Sequence, residues 1–206
     1  SRETNMKKMF LFASVMIIAL GIGGNALAQL DPDDDGIGVY FDPSAAGSNC
    51  VFLEPGTYRS FVVITHPTAQ RAGVGGWEAK IWLTGPAIIT NTTFEGNSLN
   101  FLSPPEYLVG IQIPLYNPFM YPAVVVGTFD FQLLDDTEPV DWWIDAIYRH
   151  SLPDPVPAYL DGDDYNIIIP MQQPTGGPDF PVATINGDCA VPGDPVSWGE
   201  VKTLYR

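Results

Sequence analysis

Short runs of alternating apolar and polar residues fill the chain from Gly36 onward, and clusters of Pro, Gly, Asn and Asp separate them. The run 77–83 has two distinct sides, Trp77, Ala79, Ile81 and Leu83 against Glu78, Lys80 and Trp82. The run 125–133 has Val125, Phe129, Phe131 and Leu133 against Thr128, Asp130 and Gln132. Because side chains alternate between the two sides of a strand, each run predicts a strand with one buried face.

Nine strands are predicted in this way, over 37–41, 58–65, 77–83, 87–94, 107–113, 125–133, 140–148, 165–169 and 181–186. The connections between them are short and rich in proline, as in the extended loop 152–157, and leave no room for the crossover helices of a parallel sheet. The pattern therefore indicates one all-β domain over 29–196, an antiparallel β-sandwich.

The amino end of the chain departs from this pattern. Met6, Lys7 and Lys8 precede an apolar run of about 14 residues that ends at the small-residue site 26–28, an order typical of a secretory signal peptide and too short for a membrane span. We expect cleavage after Ala28, with residues 1–5 as an upstream extension. The mature chain is then expected to be secreted and to lack a transmembrane span.

The carboxyl end, 197–206, predicts a short amphipathic helix. A capping-box pair, an apolar face and a basic end are all present: Ser197 with Glu200, then Trp198, Val201, Leu204 and Tyr205, then Lys202 and Arg206. A helix of about ten residues is marginal alone in water. We therefore expect this tail either to pack on its own domain or to be presented to a partner.

Charge narrows the choice of partners. The chain has 9 basic and 24 acidic residues, a net charge of −15, which would repel nucleic acid and anionic membranes. Cations, basic proteins and neutral glycans remain open as partners, although acidity also serves solubility alone.

Two cysteines, Cys50 and Cys189, lie near opposite ends of the mature chain. An exported chain reaches surroundings where disulfides form and persist, so we expect these two to pair. Closing a loop of about 140 residues would stabilise the fold by roughly 5 kcal/mol in the chain-entropy model. Two free thiols are the alternative.

Acidic residues at alternate positions predict a calcium loop. The first, third, fifth, sixth and twelfth places of such a loop are matched by Asp31, Asp33, Asp35, Gly36 and Asp42. A second cluster consists of Asp161, Asp163 and Asp164. The alternative interpretation is that both are solvated turns, since Pro32 stiffens the first and 37–41 has the pattern of a strand.

Trp82 and Trp143 fall opposite the more apolar faces of their strands, which predicts that both lie on an outer surface. Flat aromatic rings on a sheet can stack on sugars, so these two are candidate ligand-binding residues. The alternative is a sheet covered on both faces.

Residues for catalysis are few. His66 and His150 are the only histidines, and neither lies in a metal or triad signature. Carboxylates are so numerous that a glycosidase pair cannot be inferred from their presence. We expect a protein without enzymatic activity, and a glycoside hydrolase is the catalytic alternative.

The strand sequences GWEAK (76–80) and VVVGTFDF (124–131) resemble those of cohesin-like and related immunoglobulin-like sandwiches of secreted bacterial proteins. The tail pattern W-G-x-x-K-x-L-Y-R from Trp198 resembles that of exported proteins from environmental bacteria, where it follows a similar Asn-Gly-Asp-Cys step, here 186–189. The resemblance implies adhesion, assembly or glycan binding at the cell surface, and no dockerin-contact residues match. We expect a structural or protein-binding module of the cell envelope, or alternatively a calcium-dependent carbohydrate-binding module.

Overall fold

In a computed structural model of the chain, the described residues are 33–45, 47, 49–69, 73–115, 123–175 and 177–187. Within those ranges the regular structure consists of twelve strands and contains no helix. The strands are β1 (Gly36–Tyr40), β2 (Cys50–Val51), β3 (Gly56–Thr65), β4 (Val74–Thr84), β5 (Ala87–Phe94), β6 (Ser98–Asn100), β7 (Glu106–Leu115), β8 (Ala123–Leu133), β9 (Val140–Asp145), β10 (Ala158–Asp161), β11 (Ile168–Pro170) and β12 (Ala183–Ile185).

The strands form two sheets. The smaller sheet has the order β1-β3-β8-β5 and is antiparallel throughout. The larger sheet has the order β11-β10-β4-β9-β12-β2, and β7 pairs with β4 and carries β6. Lys80 of β4 pairs with Glu106 of β7 and with Asp145 of β9, so these two strands lie on opposite edges of β4. Consequently β9 and β10 follow one another along the same edge of β4.

Aromatic rings from both sheets meet in the core between them. Trp142 of β9 contacts Phe129 and Phe131 of β8 edge to face, with ring centroids 5.9 and 5.6 Å apart. Tyr107 of β7 meets Phe129 in the same manner at 5.4 Å. These rings bury large apolar surfaces and add favourable edge-to-face contacts. The predicted all-β antiparallel sandwich is confirmed.

Three of the twelve strands are not among the nine that the sequence predicts. They are β2, β6 and β10, which have two to four residues and are too short to show an alternation. The strand predicted over 140–148 ends at Asp145, because residues 146–157 leave the sheet as a loop before β10 rejoins it. The strand predicted over 165–169 is Ile168–Pro170.

The prediction for Val125 is wrong, although Phe129, Phe131 and Leu133 are buried as expected. The pairing of β3 with β8 shifts register after Val62, which faces Gly127, while the next β3 residue faces Val125. This irregularity reverses the side-chain alternation of β8. Val124 and Val126 therefore join the main core, and Val125 packs against a second cluster of Tyr40, Ala45 and Val63.

Several sequence predictions fall outside the described residues. They are the signal peptide of 1–28, Asp31, Cys189 and the tail 197–206 with Trp198, Val201, Lys202, Leu204, Tyr205 and Arg206. Each of these stays a prediction. Nowhere in the described part of the chain is there a helix long and apolar enough to cross a membrane.

Cys50 opens β2, which pairs in parallel with β12 so that Cys50 lies opposite Thr184. The Asn186 side chain extends this contact, because its Oδ1 accepts a hydrogen bond of 2.7 Å from the Leu53 amide. The segment that leads toward Cys189 therefore runs beside β2. The disulfide between Cys50 and Cys189 stays a prediction that this arrangement favours.

Candidate functional site

Three adjacent strands of the larger sheet, β7, β4 and β10, build an outward-facing patch. Their register aligns two rows of residues, Leu108 with Glu78 and Ala158, and Gly110 with Gly76 and Leu160. Trp77 and Ala79 form the inward face of β4 and are buried in the core. Because neighbouring residues of a strand point to opposite sides, the two rows lie on the outer face.

The two rows enclose an apolar pocket of about 200 Å³, which we name the Glu78 pocket. Its walls include Phe101, Leu108, Leu160 and Ile168. Glycine keeps its floor open, since a Cβ on Gly110 would lie 3.2 Å from the Phe101 ring. The pocket is therefore formed where the sheet carries small residues between large apolar ones.

Exposed apolar side chains continue the patch beyond the pocket. Leu99 of β6, which lies opposite Gly110, is 61% exposed, and Phe101 directly after β6 is 62% exposed. Leu108 adds a third side chain, 36% exposed. We name these three residues the apolar rim. Contiguous apolar surface of this kind is characteristic of interaction sites.

Glu78 is the one acidic residue that lines the pocket, and it is only 3% exposed. Both of its carboxylate oxygens accept hydrogen bonds from Ser151: Oε1 from the backbone amide and Oε2 from the hydroxyl, each at 2.7 Å. Within the described residues the ion pair found is Arg59 with Asp130, on the other sheet. Glu78 is thus hydrogen-bonded there without a cationic partner.

The loop 146–157 carries Ser151, which contacts the pocket, and carboxylates of the larger sheet accept hydrogen bonds from backbone amides of this loop. The Tyr148 amide donates to Oε1 of Glu106 at 2.7 Å, and the Ala146 amide donates to Oδ1 of Asp145 at 2.7 Å. Together with Ser151, these contacts position the loop along the edge where β9 gives way to β10.

Trp82 and Trp143 lie where the sequence predicts, opposite each other on the outer faces of β4 and β9. Their rings stack with centroids 6.2 Å apart and an interplanar angle of 13°. The ammonium group of Lys80 lies 4.7 Å from the centroid of Trp82, and Nε1 of Trp143 donates to Thr84 at 3.1 Å. Lys80 and Trp143 therefore both contact the indole ring of Trp82, on which a sugar would stack.

Two of the predicted calcium ligands, Asp35 and Asp42, lie at opposite ends of a strand. Asp35 and Asp42 flank β1, so a five-residue extended strand separates them, roughly 17 Å of chain at 3.3 Å per residue. Asp42 binds the Ser44 and Gly47 amides in its own turn. Asp161 likewise accepts bonds from the Asp163 and Asp164 amides.

Asp33 lies just ahead of β1. Over the described part of the chain, no group of three or more His, Cys, Asp or Glu residues could hold a metal ion. Calcium binding stays a prediction that depends on residues such as Asp31.

Asp35 has a structural partner instead. Its carboxylate accepts hydrogen bonds from the Tyr159 hydroxyl at 2.5 Å and from the Thr68 amide at 2.7 Å. Burial, and then the bond to Asp35, raise the pKa of Tyr159 well above its ordinary value. Tyr159 therefore keeps its proton and ties β10 to the residue that precedes β1.

The two histidines lie in connecting segments. His66 follows β3 with a φ of 45°, and its carbonyl accepts a hydrogen bond from the Asp35 amide at 3.0 Å. Nδ1 of His150 lies 2.6 Å from the Leu152 carbonyl oxygen in the loop 146–157.

Sequence reasoning placed Glu78 correctly on the outer side of its strand but did not identify the site. The sequence does not show which strands lie side by side in the sheet, and neither Leu108 nor Leu160 is near Glu78 in the sequence. One signal was present: the outward positions of β7 and β4 include Gly76, Gly110 and Leu108 beside Glu78. Small and apolar residues there are unusual for a solvated face.

Comparison with known proteins gives cohesin domains among solved structures. A non-cellulosomal cohesin from Archaeoglobus fulgidus has 9% identity and a TM-score of 0.40, with 68% of this chain and 85% of that chain covered. A type II cohesin domain from the cellulosome of Acetivibrio cellulolyticus has 14% identity and a TM-score of 0.44, with 76% and 98% covered.

The sixth cohesin of scaffoldin B from Acetivibrio cellulolyticus, solved in complex with a dockerin, has 8% identity and a TM-score of 0.38, with 68% and 94% covered. No family model and no curated protein matches the chain. At these identities and TM-scores, the similarity to cohesins carries no inference about a partner.

Proposed function

We propose that the protein is a secreted, non-catalytic module that binds another protein through the outer face of its larger sheet. The observation that carries this proposal is the Glu78 pocket together with the apolar rim of Leu99, Phe101 and Leu108. A concave apolar centre bordered by exposed apolar side chains has the composition of the core of a protein interface.

Secretion belongs to the same proposal and rests on the signal peptide predicted before Gln29. Determination of the N terminus of the mature protein tests that part, because processing at the predicted site would leave Gln29 first. A mature chain that retains Met6 to Ala28 would overturn it.

A calcium-dependent carbohydrate-binding module has less support. The indole of Trp82 already contacts Lys80 and Trp143, so a sugar that stacked on this ring would compete with these contacts. Among the described residues, no group of three or more His, Cys, Asp or Glu side chains could hold a metal ion.

The proposal is tested by placing charge in the apolar rim. The double variant Leu99→Asp, Phe101→Asp changes two side chains that are more than half exposed, so the fold should tolerate it. A matched control is Ile88→Asp, since Ile88 of β5 is 50% exposed on the smaller sheet. The wild-type chain captures partners from the native envelope or culture fluid, and mass spectrometry identifies them.

We expect the double variant to lose at least about 1.4 kcal/mol of binding free energy, a tenfold loss of affinity for the identified partner. The control should bind as the wild type does. Equal binding by all three chains would overturn the proposal. Thermal melting of each variant separates this result from unfolding.

A further inference from the structure

The Glu78 pocket combines two features that rarely occur together, apolar walls and a buried carboxylate. Glu78 is 3% exposed, and the side chains beside it include Leu108, Leu160 and Phe101. A carboxylate loses strong hydration when it is buried, and this cost is offset only by hydrogen bonds or an opposite charge. The occupant that suits this site has to complement both features.

Ser151 satisfies the carboxylate in part. It donates one hydrogen bond to each oxygen, whereas an ionised carboxylate offers about four acceptor positions. The remaining positions adjoin a pocket whose other lining is almost wholly apolar. A positively charged donor entering the pocket would supply both the missing hydrogen bonds and the missing charge.

The size of the pocket limits the occupant to a small group. Its volume of about 200 Å³ is below the range of roughly 300–1,000 Å³ that is usual for sites of drug-sized ligands. The walls are apolar and the charge lies at Glu78. A methylene stem with a cationic end matches that order, because lysine and arginine bury their stems along apolar surface.

We infer that the Glu78 pocket receives a lysine or arginine side chain of the protein partner, with the stem between Leu108 and Leu160 and the cationic end at Glu78. This inference rests on the proposed function and adds the chemistry of the residue that is recognised. The net charge of −15 favours the approach of a basic segment. An uncharged apolar side chain would instead leave the carboxylate further desolvated and still without a counter-charge.

The inference can be tested without the partner. The probes are Nα-acetyl-lysine amide and Nα-acetyl-arginine amide, and the control is Nα-acetyl-norleucine amide, which has an apolar stem without the charge. Amide shifts of Gly76, Gly110 and Ser151 in ¹⁵N-labelled protein report binding at the pocket. The matched variant is Glu78→Gln, which keeps an oxygen acceptor for Ser151 and removes the charge.

We expect one or both cationic probes to bind the wild-type protein at least tenfold more tightly than norleucine. Glu78→Gln should bring them to the norleucine level and leave the affinity for norleucine unchanged. Equal binding of charged and neutral probes, unchanged cation binding by Glu78→Gln, or no binding of any probe would each overturn the inference. Those results would leave the capture experiment informative, because it measures partner binding through the apolar rim and does not require a cation at Glu78.

Discussion

On the outer face of the smaller sheet, Oδ1 of Asp130 accepts a hydrogen bond from Nε of Arg59 at 2.8 Å, and its Oδ2 accepts one from Asn91 at 3.2 Å. On the outer face of the larger sheet, Glu78 is held by Ser151 and lines a pocket whose walls are apolar. The first carboxylate has its counter-charge within the chain, at the surface. The second is buried with no counter-charge among the described residues.

This difference indicates which face is made for a partner. An exposed ion pair such as Arg59 with Asp130 contributes little to stability and needs nothing from outside. The bonds from Ser151 offset only part of the cost of desolvating a buried acid beside apolar walls, and a suitable group that binds would offset the rest. Binding sites commonly keep incompletely satisfied groups of this kind.

The largest expected effect concerns the edge of the larger sheet. Its last strand, β2, has two residues and a parallel partner, whereas the smaller sheet is antiparallel throughout. If Cys50 and Cys189 are paired, Cys50→Ser should lower the free energy of unfolding by roughly 5 kcal/mol in the chain-entropy model.

Urea unfolding of the oxidised protein measures this loss, with Cys189→Ser as the matched variant. Hydrogen exchange should show the amides of β12 losing protection before those of β3 and β8. A thiol assay that finds two free cysteines in the denatured, unreduced protein would contradict the predicted disulfide.

The second prediction compares the two acids directly. Glu78→Ala removes two charge-assisted hydrogen bonds that hold the loop 146–157, and we expect it to lower the free energy of unfolding by about 1–3 kcal/mol. Asp130→Ala should change it much less, because its ion pair is exposed to water.

Urea titrations of both variants, with hydrogen exchange at the Ser151 amide, measure the difference. Glu78→Ala should increase exchange at Ser151 while Asp130→Ala leaves it unchanged. If the two variants lose equal stability, the distinction between the two faces is wrong.

The fold was more accessible to sequence reasoning than the site, for a physical reason. Alternation along a single run identifies a strand and its buried face, so Trp77, Ile81 and Phe131 could be assigned to the core. A pocket forms between strands and depends on register. Glu78 meets Leu108 and Ala158 only after β7 and β10 have paired with β4, and β10 was too short to be predicted.

Strand regularity explains why the predicted orientation is right for Trp82 and Trp143 and wrong for Val125. Trp82 and Trp143 were predicted to face outward, and both do so because their strands are regular there. Val125 was assigned to the wrong side, since a register shift reverses the alternation and leaves no mark in the local pattern.

The smallest expected effect is on how the free energy of unfolding depends on acidic pH, through Asp130 on the smaller sheet. The hydrogen bond from Arg59, followed by that from Asn91, lowers the pKa of Asp130 below its ordinary value. A carboxyl group whose pKa is lower in the folded chain contributes stability above its unfolded pKa, about 3.9 for aspartate, and loses it as the pH falls through the folded value.

Arg59→Ala should therefore raise the pKa of Asp130 toward the ordinary value and slightly flatten the loss of stability below about pH 4. Carboxyl ¹³C shifts of Asp130 over an acid titration measure the change. If the titration curve of Asp130 is the same in the wild type and in Arg59→Ala, the ion pair does not persist in solution. The smaller sheet would then carry a carboxylate without a counter-charge among the described residues, as the larger sheet does at Glu78.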